Sequence, residues 1–346
     1  MKILFLSHNF YPDIGGIEIN SEILASYFTS FGAEVKMLTW STDLNNKDFP
    51  FQIIRKPRIT DILLAHAWAD VVFENNPCLK LSWPVLFTRK KHIVAIRTLI
   101  KRNDERITII DRLKIQWVRK SNAHIAVSKV IKKETSTRAI VIGNPYRNYL
   151  FKDLKQKRIL DFVFLGRLVS SKGVDMALQL VSRLYQERSM KYQLHHLTII
   201  GDGPEKTNLE NLVRELKIGN LVTFKGMLKG SELVNCLNKH KYILIPSRGI
   251  EGFGNIALEG MACGCLPIVS NEGGLVDAVG NSGLVFERNN MDSFYNVVKG
   301  LLDDKTLEKN IRNNFQEKLK KHHPEYVSQE YFNVIKDQLI YKNKSN

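Results

Sequence analysis

The chain has 346 residues, of which 44% are hydrophobic, and its 51 Lys and Arg against 35 Asp and Glu give a formal net charge of +16. This length exceeds what one hydrophobic core usually serves, so we expect two domains. No apolar run approaches the roughly 20 residues of a membrane-spanning helix. The N-terminal apolar stretch, of about five residues, is shorter than the core of a signal peptide. Together with four cysteines in no zinc or redox spacing, these features predict a cytoplasmic protein.

The positive charge suggests three kinds of partner: nucleic acid, an anionic membrane surface or a phosphorylated substrate. The sequence contains no zinc finger, RNP pattern or basic-region zipper, so we expect no nucleic acid. The basic runs at 89–102, 112–120 and 129–133 all lie in the first half. Trp117, between basic residues, is typical of an interfacial surface, although a solvated basic face explains any single run equally well.

Apolar, β-branched runs alternate with helical patterns along the whole chain. Expected strands lie at 2–7, 34–40, 70–75, 92–98, 124–128 and 139–145, with an early helix at 18–31, and then at 161–167, 196–203, 221–226, 242–247, 267–270 and 283–287. Strands of this kind, separated by helices, are typical of parallel sheets covered on both faces. The two series therefore predict two doubly wound, Rossmann-like α/β domains.

The domain boundaries follow from the position of the most polar stretch. The basic segment 146–158 separates the two series of strands and is the expected linker. We expect an N-terminal domain at 1–150, a C-terminal domain at 151–325, and a final helix at 326–346 that packs back on the N-terminal domain.

Two glycines follow the first expected strand. Gly15 and Gly16 precede a helix, and glycines at a helix N-terminus allow backbone N–H groups to bind an anion. On its own this turn is as well explained by structure. No G-x-G-x-x-G or G-x-x-x-x-G-K-[ST] motif is present, which argues against a nicotinamide cofactor and against P-loop chemistry.

The first strand of the second series is followed by two cations. Arg167 and Lys172 lie five positions apart on one loop. A fork-shaped donor and a point charge together suit a diphosphate, and a pair of ordinary surface cations is the alternative. The Gly-Asp-Gly-Pro turn after the next strand is a common sequence at the start of a helix and needs no functional explanation.

Two glutamates flank a glycine turn in RGIEGFGNIALEG, at 248–260. Glu251 lies on the expected loop, and Glu259 lies about one turn inside a helix that begins near Asn255. Their carboxylates are then up to about 12 Å apart, which is too far for the paired acids of a glycoside hydrolase. A nucleotide sugar fits this spacing, because it has hydroxyl groups at both ends and negative charge between them.

The motifs PDIGGIE, AVSKVIKK, IGNPY, FLGRLVSSKG, IIGDGP, EGFGNIALE and ACGCLPIVSNEGG together resemble family 4 of the retaining glycosyltransferases. The resemblance extends from Lys2 to about Glu287. It implies the GT-B fold, in which two Rossmann-like domains face each other across a cleft. It also implies hexosyltransferase-type transfer from a nucleotide-sugar donor, with neither a cofactor nor a metal.

The resemblance assigns roles to individual residues. Arg167 and Lys172 would bind the diphosphate from the C-terminal domain, and Gly15 and Gly16 from the N-terminal one. Glu251 would contact the donor sugar, and Glu259 the ribose. The backbone amides of Phe253, Gly254 and Asn255 would lie near sugar or phosphate.

The chain departs from the family in its first domain. Arg97 stands at the end of a strand where a histidine is usual, and His92 begins that strand, at the wrong end. His8, after the first expected strand, lies at a carboxyl edge and could face the cleft, although a lone histidine there is more often structural. Arg97 could instead meet an acidic or phosphate-bearing acceptor.

These features favour an enzyme of cell-surface polysaccharide synthesis that acts on a saccharide, most plausibly a lipid-linked one. Its basic runs would then rest on an anionic membrane. Three alternatives stay open: a soluble enzyme with a soluble acceptor, a GT-B-type nucleotide-sugar epimerase, and a non-catalytic partner subunit.

Overall fold

A computed structural model describes residues 1–13, 15–43, 47–100, 108–187 and 195–340. The chain divides into two compact units. The N-terminal unit is Met1–Pro145 together with the segment that starts at His322, and the C-terminal unit is Tyr146–Lys321. Both boundaries lie a few residues before the expected ones, after 150 and after 325.

The N-terminal unit is built on a parallel sheet with seven strands in the described residues, in the order β3-β2-β1-β4-β5-β6-β7. Its strands are β1 Lys2–Leu6, β2 Glu34–Thr39, β3 Gln52–Arg55, β4 Val71–Asn75, β5 Lys91–Ile96, β6 Ala123–Ala126 and β7 Ile140–Val141. Its helices are α1 Gly16–Ser30, α2 Ile59–Trp68, α3 Leu79–Ser82, the 3-10 helix η1 Trp83–Phe87, α4 Ile109–Lys120, α5 Lys129–Thr135 and, from the C-terminal segment, α14 Pro324–Ile340.

The C-terminal unit has a second parallel sheet, with six strands in the part of the chain described, in the order β10-β9-β8-β11-β12-β13. The strands are β8 Leu160–Leu165, β9 Leu197–Ile200, β10 Val222–Gly226, β11 His240–Ile245, β12 Leu266–Ser270 and β13 Leu284–Phe286. The helices are the 3-10 turn η2 Ser170–Lys172, α6 Val174–Gln186, α7 Lys206–Glu215, α8 Gly230–Asn238, α9 Asn255–Ala262, α10 Leu275–Val279, the 3-10 turn η3 Gly280–Ser282, α11 Met291–Asp303, α12 Lys305–Asn313 and α13 Phe315–Lys321.

The strand order reverses once in each sheet. In the N-terminal unit the reversal separates β1 from β4, and in the C-terminal unit it separates β8 from β11. At such a switch point the two following loops run in opposite directions and leave a crevice beyond the carboxyl ends of the strands. Each unit therefore has one natural place for a ligand, set by its topology.

Continuous apolar strands explain why both sheets are covered on both faces. Ile3, Leu4, Phe5 and Leu6 of β1 are all fully buried, as expected for a strand in the centre of a parallel sheet. Helix α14 completes this core: the Phe332 ring lies 5.7 Å from that of Phe28 on α1. The last helix thus belongs to the N-terminal unit, although it follows the C-terminal unit in sequence.

The prediction of two doubly wound parallel sheets is confirmed, with two differences in detail. Strand β3 was not predicted, because it is an edge strand with no fully buried residue and so has no continuous apolar run. Strand β7 is only two residues long and exposed, although 139–145 suggested a longer one. None of the helices within the described ranges is both long and apolar enough to cross a bilayer.

Candidate active site

The loops after β8 and β11 meet at the switch point of the C-terminal unit. Lys172, at the end of the first loop, places its Nζ 2.5 Å from Oε1 of Glu251 on the second loop. The same oxygen accepts a hydrogen bond of 2.7 Å from the Ser247 hydroxyl. The structure therefore brings together two residues that are predicted, from the sequence, to bind adjacent parts of one ligand, the diphosphate and the donor sugar.

Backbone contacts hold these two loops in place. Gly173 has a φ of +68°, and a Cβ there would lie 2.0 Å from the carbonyl oxygen of Pro246, so only glycine allows this approach. The backbone N–H of Arg248 donates to the Ser171 carbonyl over 2.8 Å. The Arg248 guanidinium also binds both carboxylate oxygens of Asp175, at 2.7 and 2.6 Å, which fixes the second loop to the first turn of α6.

Gly273 and Gly274 pack against the backbone of Glu251. The N–H of Gly274 donates to the Glu251 carbonyl over 2.8 Å. A Cβ on Gly273 would lie 2.2 Å from the same carbonyl oxygen. The Phe253 side chain is buried and fixes the turn between Glu251 and Glu259, which we call the two signature glutamates.

Helix α9 begins directly after this turn. Gly254 is its N-cap, with a φ of +106° and no side-chain cap, and Asn255 is its first residue. Because side chains do not cap the first turn, its N–H groups are suited to oxygen acceptors. Contact of the Phe253, Gly254 and Asn255 amides with a sugar or a phosphate stays a prediction.

Glu259 lies inside α9 and is 7% exposed. Its Oε1 accepts hydrogen bonds from Nε and Nη2 of Arg147, at 3.0 and 2.9 Å. Burial raises the pKa of this carboxyl group, and the positive charge of Arg147 partly opposes the shift. Arg147 itself stacks over the Phe151 ring at 4.8 Å.

The two signature glutamates share one arrangement of their oxygens. In each glutamate, Oε1 accepts a hydrogen bond from a cationic side chain, Lys172 for Glu251 and Arg147 for Glu259. Within the described residues, Oε2 of each glutamate has no hydrogen bond. Each carboxylate can therefore accept one more hydroxyl group. Arg167 is exposed on the loop after β8, and its five N–H donors make no ion pair within the described ranges.

The N-terminal unit has its own crevice at the switch point between β1 and β4. A cavity of about 460 Å³ is lined there by His8, Asn9, Ile17, Glu18, Asn75, Asn76, Pro77, Cys78, Leu79, Lys80, Ile110 and Lys114. Gly15 and Gly16 begin α1 beside it, and this helix has no side-chain cap. A Cβ on Gly15 would lie 2.3 Å from Oε2 of Glu18, so a carboxylate already lies against this helix end. His8 is exposed.

The expectation that Arg97 meets an acceptor needs correction, because the Arg97 side chain points into the protein and is only 4% exposed. Its Nε donates to Asn75 over 2.6 Å and its Nη1 to Asn144 over 2.8 Å. The guanidinium lies 5.0 Å above the Tyr331 ring, and its Nη2 has no hydrogen-bond partner. Arg97 therefore holds the ends of strands in place, and this geometry does not support direct contact with an acceptor.

Other expectations on the basic segments also change. Trp117 donates from Nε1 to Glu74 over 2.7 Å, so its polar edge is used inside the unit. The Lys90 ammonium donates to the carbonyl groups of Ala67 and Ala69 at the end of α2. Lys101 and Arg102, at the end of the run 89–102, lie outside the described residues.

Sequence reasoning missed Arg147, the partner of Glu259. Its position within the expected linker, 146–158, suggested a solvated residue. The sequence did contain one indication of its role. Arg147 directly follows IGNPY, which is one of the motifs that resemble family 4 glycosyltransferases. Ser247 and the Arg248–Asp175 pair were also missed. The sequence of a loop does not show which residues its side chains contact.

Comparison with known proteins agrees with the fold. The family model "Glycosyl transferases group 1" matches residues 145–320. An uncharacterised glycosyltransferase of Methanocaldococcus jannaschii is 30% identical, over 93% of this chain and 94% of its own length. A D-inositol 3-phosphate glycosyltransferase of Acidothermus cellulolyticus is also 30% identical, but the match spans only 41% of this chain and 33% of that protein.

Two solved structures share the architecture of nearly the whole chain. Sucrose-phosphate synthase from Thermosynechococcus elongatus gives a TM-score of 0.80 at 19% identity, over 98% of this chain and 99% of that one. Anabaena HepE, solved with UDP and glucose, gives 0.77 at 16% identity, over 97% and 100%. The two sheets and these similarities define a glycosyltransferase of the GT-B fold. The chain belongs to the glycosyl transferases group 1 family.

Proposed function

We propose that this enzyme is a retaining, hexosyltransferase-type glycosyltransferase of the family 4 kind, which uses a nucleotide-diphosphate sugar. One observation supports this most strongly. Two glutamates eight positions apart each hold a cation with one oxygen and keep the other oxygen open for a ligand hydroxyl. The GT-B structures of Anabaena HepE with UDP and glucose, and with UDP-glucose, support a donor of this class.

In this proposal the donor lies along the switch point of the C-terminal unit. Oε2 of Glu259 accepts from the ribose diol, and Oε2 of Glu251 from a hydroxyl of the sugar. Lys172 uses one of its three N–H donors on Glu251, so the other two can reach the diphosphate. Arg167 contributes a planar fork to the same group.

The bond between the sugar C1 and the diphosphate oxygen breaks, and the acceptor oxygen forms a bond to C1 on the same face. The proton of the acceptor hydroxyl passes to a phosphate oxygen of the leaving group. Arg167 and Lys172 stabilise the charge that develops on this group. Because these side chains neutralise the diphosphate, the proposal requires no metal.

For the acceptor, we propose a lipid-linked saccharide used in polysaccharide synthesis. Large apolar side chains of the N-terminal unit are exposed, among them Phe87 at 80% and Ile109 at 78%. Basic residues follow each of them closely in sequence. This combination is typical of a surface that rests on an anionic bilayer.

The test begins with a panel of nucleotide sugars, scored by isothermal titration and then by turnover. Arg167→Ala and Lys172→Ala should each lower kcat/KM by about 100-fold or more, because each removes a contact that strengthens in the transition state. Lys225→Ala is the matched control: Lys225 is an exposed cation on the edge strand β10, so its loss should change little. Near-normal rates in both variants would remove the diphosphate assignment.

The products distinguish this proposal from its rivals. A nucleotide sugar that returns isomerised, without any acceptor, indicates an epimerase. Tight donor binding with no product under any condition indicates a non-catalytic subunit. A glycosylated acceptor with the anomeric configuration of the donor supports retaining transfer.

A further inference from the structure

We infer that the cavity of the N-terminal unit binds a phosphate group of the acceptor through Lys80 and Lys114. The inference rests on the proposed function, since it names the acceptor class. The cavity, of about 460 Å³, is large enough for a phosphate together with a sugar-sized or short aliphatic group.

The position of the cavity argues for a ligand. It lies at the switch point of the N-terminal sheet, lined by His8 after β1 and by Asn75 and Asn76 at the end of β4. Asn75 is fixed as part of the wall, because its Nδ2 donates to Ser21 over 2.6 Å and its Oδ1 accepts from Arg97. Such crevices beyond the carboxyl ends of strands are where α/β proteins bind their ligands.

Within the described residues, the cations that line this cavity outnumber the acidic side chains. Lys80 and Lys114 line it, and neither makes an ion pair with an acidic side chain of the described residues. Among the lining residues that the structure describes, Glu18 is the one acidic side chain, against the two lysines and His8. An anionic group therefore gains two unused ammonium donors there.

A larger cavity in the C-terminal unit differs from this one in how its charged side chains are paired. It has a volume of about 1000 Å³ and is also lined by many charged residues. Most of its charges are already paired, for example Asp161 with Lys241 at 2.8 Å and Glu308 with Arg312 at 2.7 Å. Among the described residues, Lys305 is the exception in this lining. Charge density alone does not make an anion site, and the N-terminal cavity differs because neither Lys80 nor Lys114 has an acidic partner among the described residues.

The remaining lining describes the rest of the ligand. Ile17, Leu79 and Ile110 provide apolar surface, and Ile110 is 61% exposed at the start of α4. The cavity thus presents cations, amide groups and an apolar edge together. A phosphate ester that carries both hydroxyl groups and hydrocarbon matches all three.

Arg97 supports this site without touching the ligand. The sequence suggested Arg97 as the cation for a phosphate-bearing acceptor, but its guanidinium is buried against Asn144 and Tyr331. In the part of the chain that the structure describes, the lysines that line the cavity are Lys80 and Lys114. Arg97 has a positioning role, because it holds the Asn75 side chain in the wall of the cavity.

Two matched pairs of probes test the inference on the full-length protein. Farnesyl phosphate is compared with farnesol in neutral detergent, and sn-glycerol 3-phosphate with glycerol, by isothermal titration. The phosphate should strengthen binding in at least one pair. Lys80→Ala and Lys114→Ala should each weaken binding of the phosphorylated probe about tenfold, the usual effect of one charge-assisted hydrogen bond.

Lys336→Ala is the control, because it removes an exposed charge from α14 of the same unit and does not line the cavity. It should leave the affinity unchanged, and the thermal unfolding of all three variants should match the parent protein. Binding of farnesyl phosphate alone identifies a lipid headgroup as the source, and binding of both phosphates identifies a free phosphate ester. Equal affinity with and without phosphate, or an equal loss in Lys336→Ala, would overturn the inference.

The same titrations on Lys172→Ala separate this inference from the proposed function. Lys172 belongs to the C-terminal unit, so its removal should weaken UDP binding and leave the phosphate probes unaffected. If the parent protein binds no nucleotide but still binds the phosphate probes through Lys80 and Lys114, the donor assignment fails and the anion site stands.

Discussion

The Arg147–Glu259 pair shows how a buried carboxylate can be kept ready for a ligand. Ionised Glu259 is costly in α9, because burial disfavours its charge and raises its pKa. Arg147 offsets this cost with two hydrogen bonds to one oxygen. Arg147 therefore favours the charged form of this carboxylate against the effect of burial, and Oε2 has no hydrogen bond within the described residues.

This arrangement predicts a pH-dependent effect of Arg147→Met. Glu259 has a raised pKa in the folded state, so its ionisation lowers stability as pH rises, and Arg147 limits that loss. Removing one partner of a buried pair should cost about 3 kcal/mol near pH 7. The cost should fall to less than half near pH 4, because the raised pKa of Glu259 leaves its carboxyl group mostly protonated there. Urea unfolding followed by far-UV circular dichroism measures both values.

Two features of the chain sharpen this measurement. All four tryptophans, at 40, 68, 83 and 117, lie in the N-terminal unit, so their fluorescence reports the unit that the substitution does not touch. The double variant Arg147→Met/Glu259→Gln should recover much of the loss, because it buries no unpaired charge. A cost that is the same at both pH values would show that packing on Phe151 explains the effect.

At the scale of elements, the loops after β8 and β11 act as one piece. Gly173 lies against the Pro246 carbonyl, and Arg248 joins Ser171 and Asp175. The distance between Lys172 and Glu251 therefore depends on backbone contacts that are not part of the signature itself. A change in these contacts should move both functional groups at once.

Gly173→Ala tests this coupling. A Cβ at this position has no room, and the φ of +68° disfavours any side chain, so we expect a loss of about 2 kcal/mol in stability and a higher KM for the donor. Gly219→Ala is the matched control in the same unit. Nothing lies within 4 Å of its Cβ, and its effect should be within about 0.5 kcal/mol. An unchanged KM in Gly173→Ala would mean that the loop tolerates displacement.

The elements also show what a sequence can predict. Strands such as β1 and β11 were predicted, because a buried parallel strand has a continuous apolar run. The glycine turns and paired glutamates were predicted as a set, because they follow strand ends. The pairing of Arg147 with Glu259 spans 112 positions, and the burial of Arg97 depends on Tyr331 of the last helix. No local pattern contains either contact, so only the fold reveals them.

At the scale of the whole molecule, the charge of +16 accompanies an exposed apolar surface. Helix α2 and η1 pack together, and their exposed side chains form what we call the α2–η1 patch: Ile59, Leu63, Leu64, Leu86 and Phe87. Arg89 follows this patch and is exposed, as are Arg119 and Lys120 at the end of α4. The patch offers hydrocarbon, and the cations offer attraction to anionic lipid.

Sedimentation with liposomes tests whether this surface meets a membrane. We expect the protein to bind anionic but not neutral vesicles and to be released at high salt, because each basic residue near the bilayer contributes about 1 kcal/mol through a screened interaction. Charge reversal at Arg89, Arg119 and Lys120 should abolish binding. Phe87→Ser should weaken it through lost insertion, whereas Met227→Ser, an exposed apolar residue of the C-terminal unit, should not. If anionic vesicles fail to bind the protein even at low salt, the acceptor must reach the enzyme from solution, and the positive charge serves soluble anions alone.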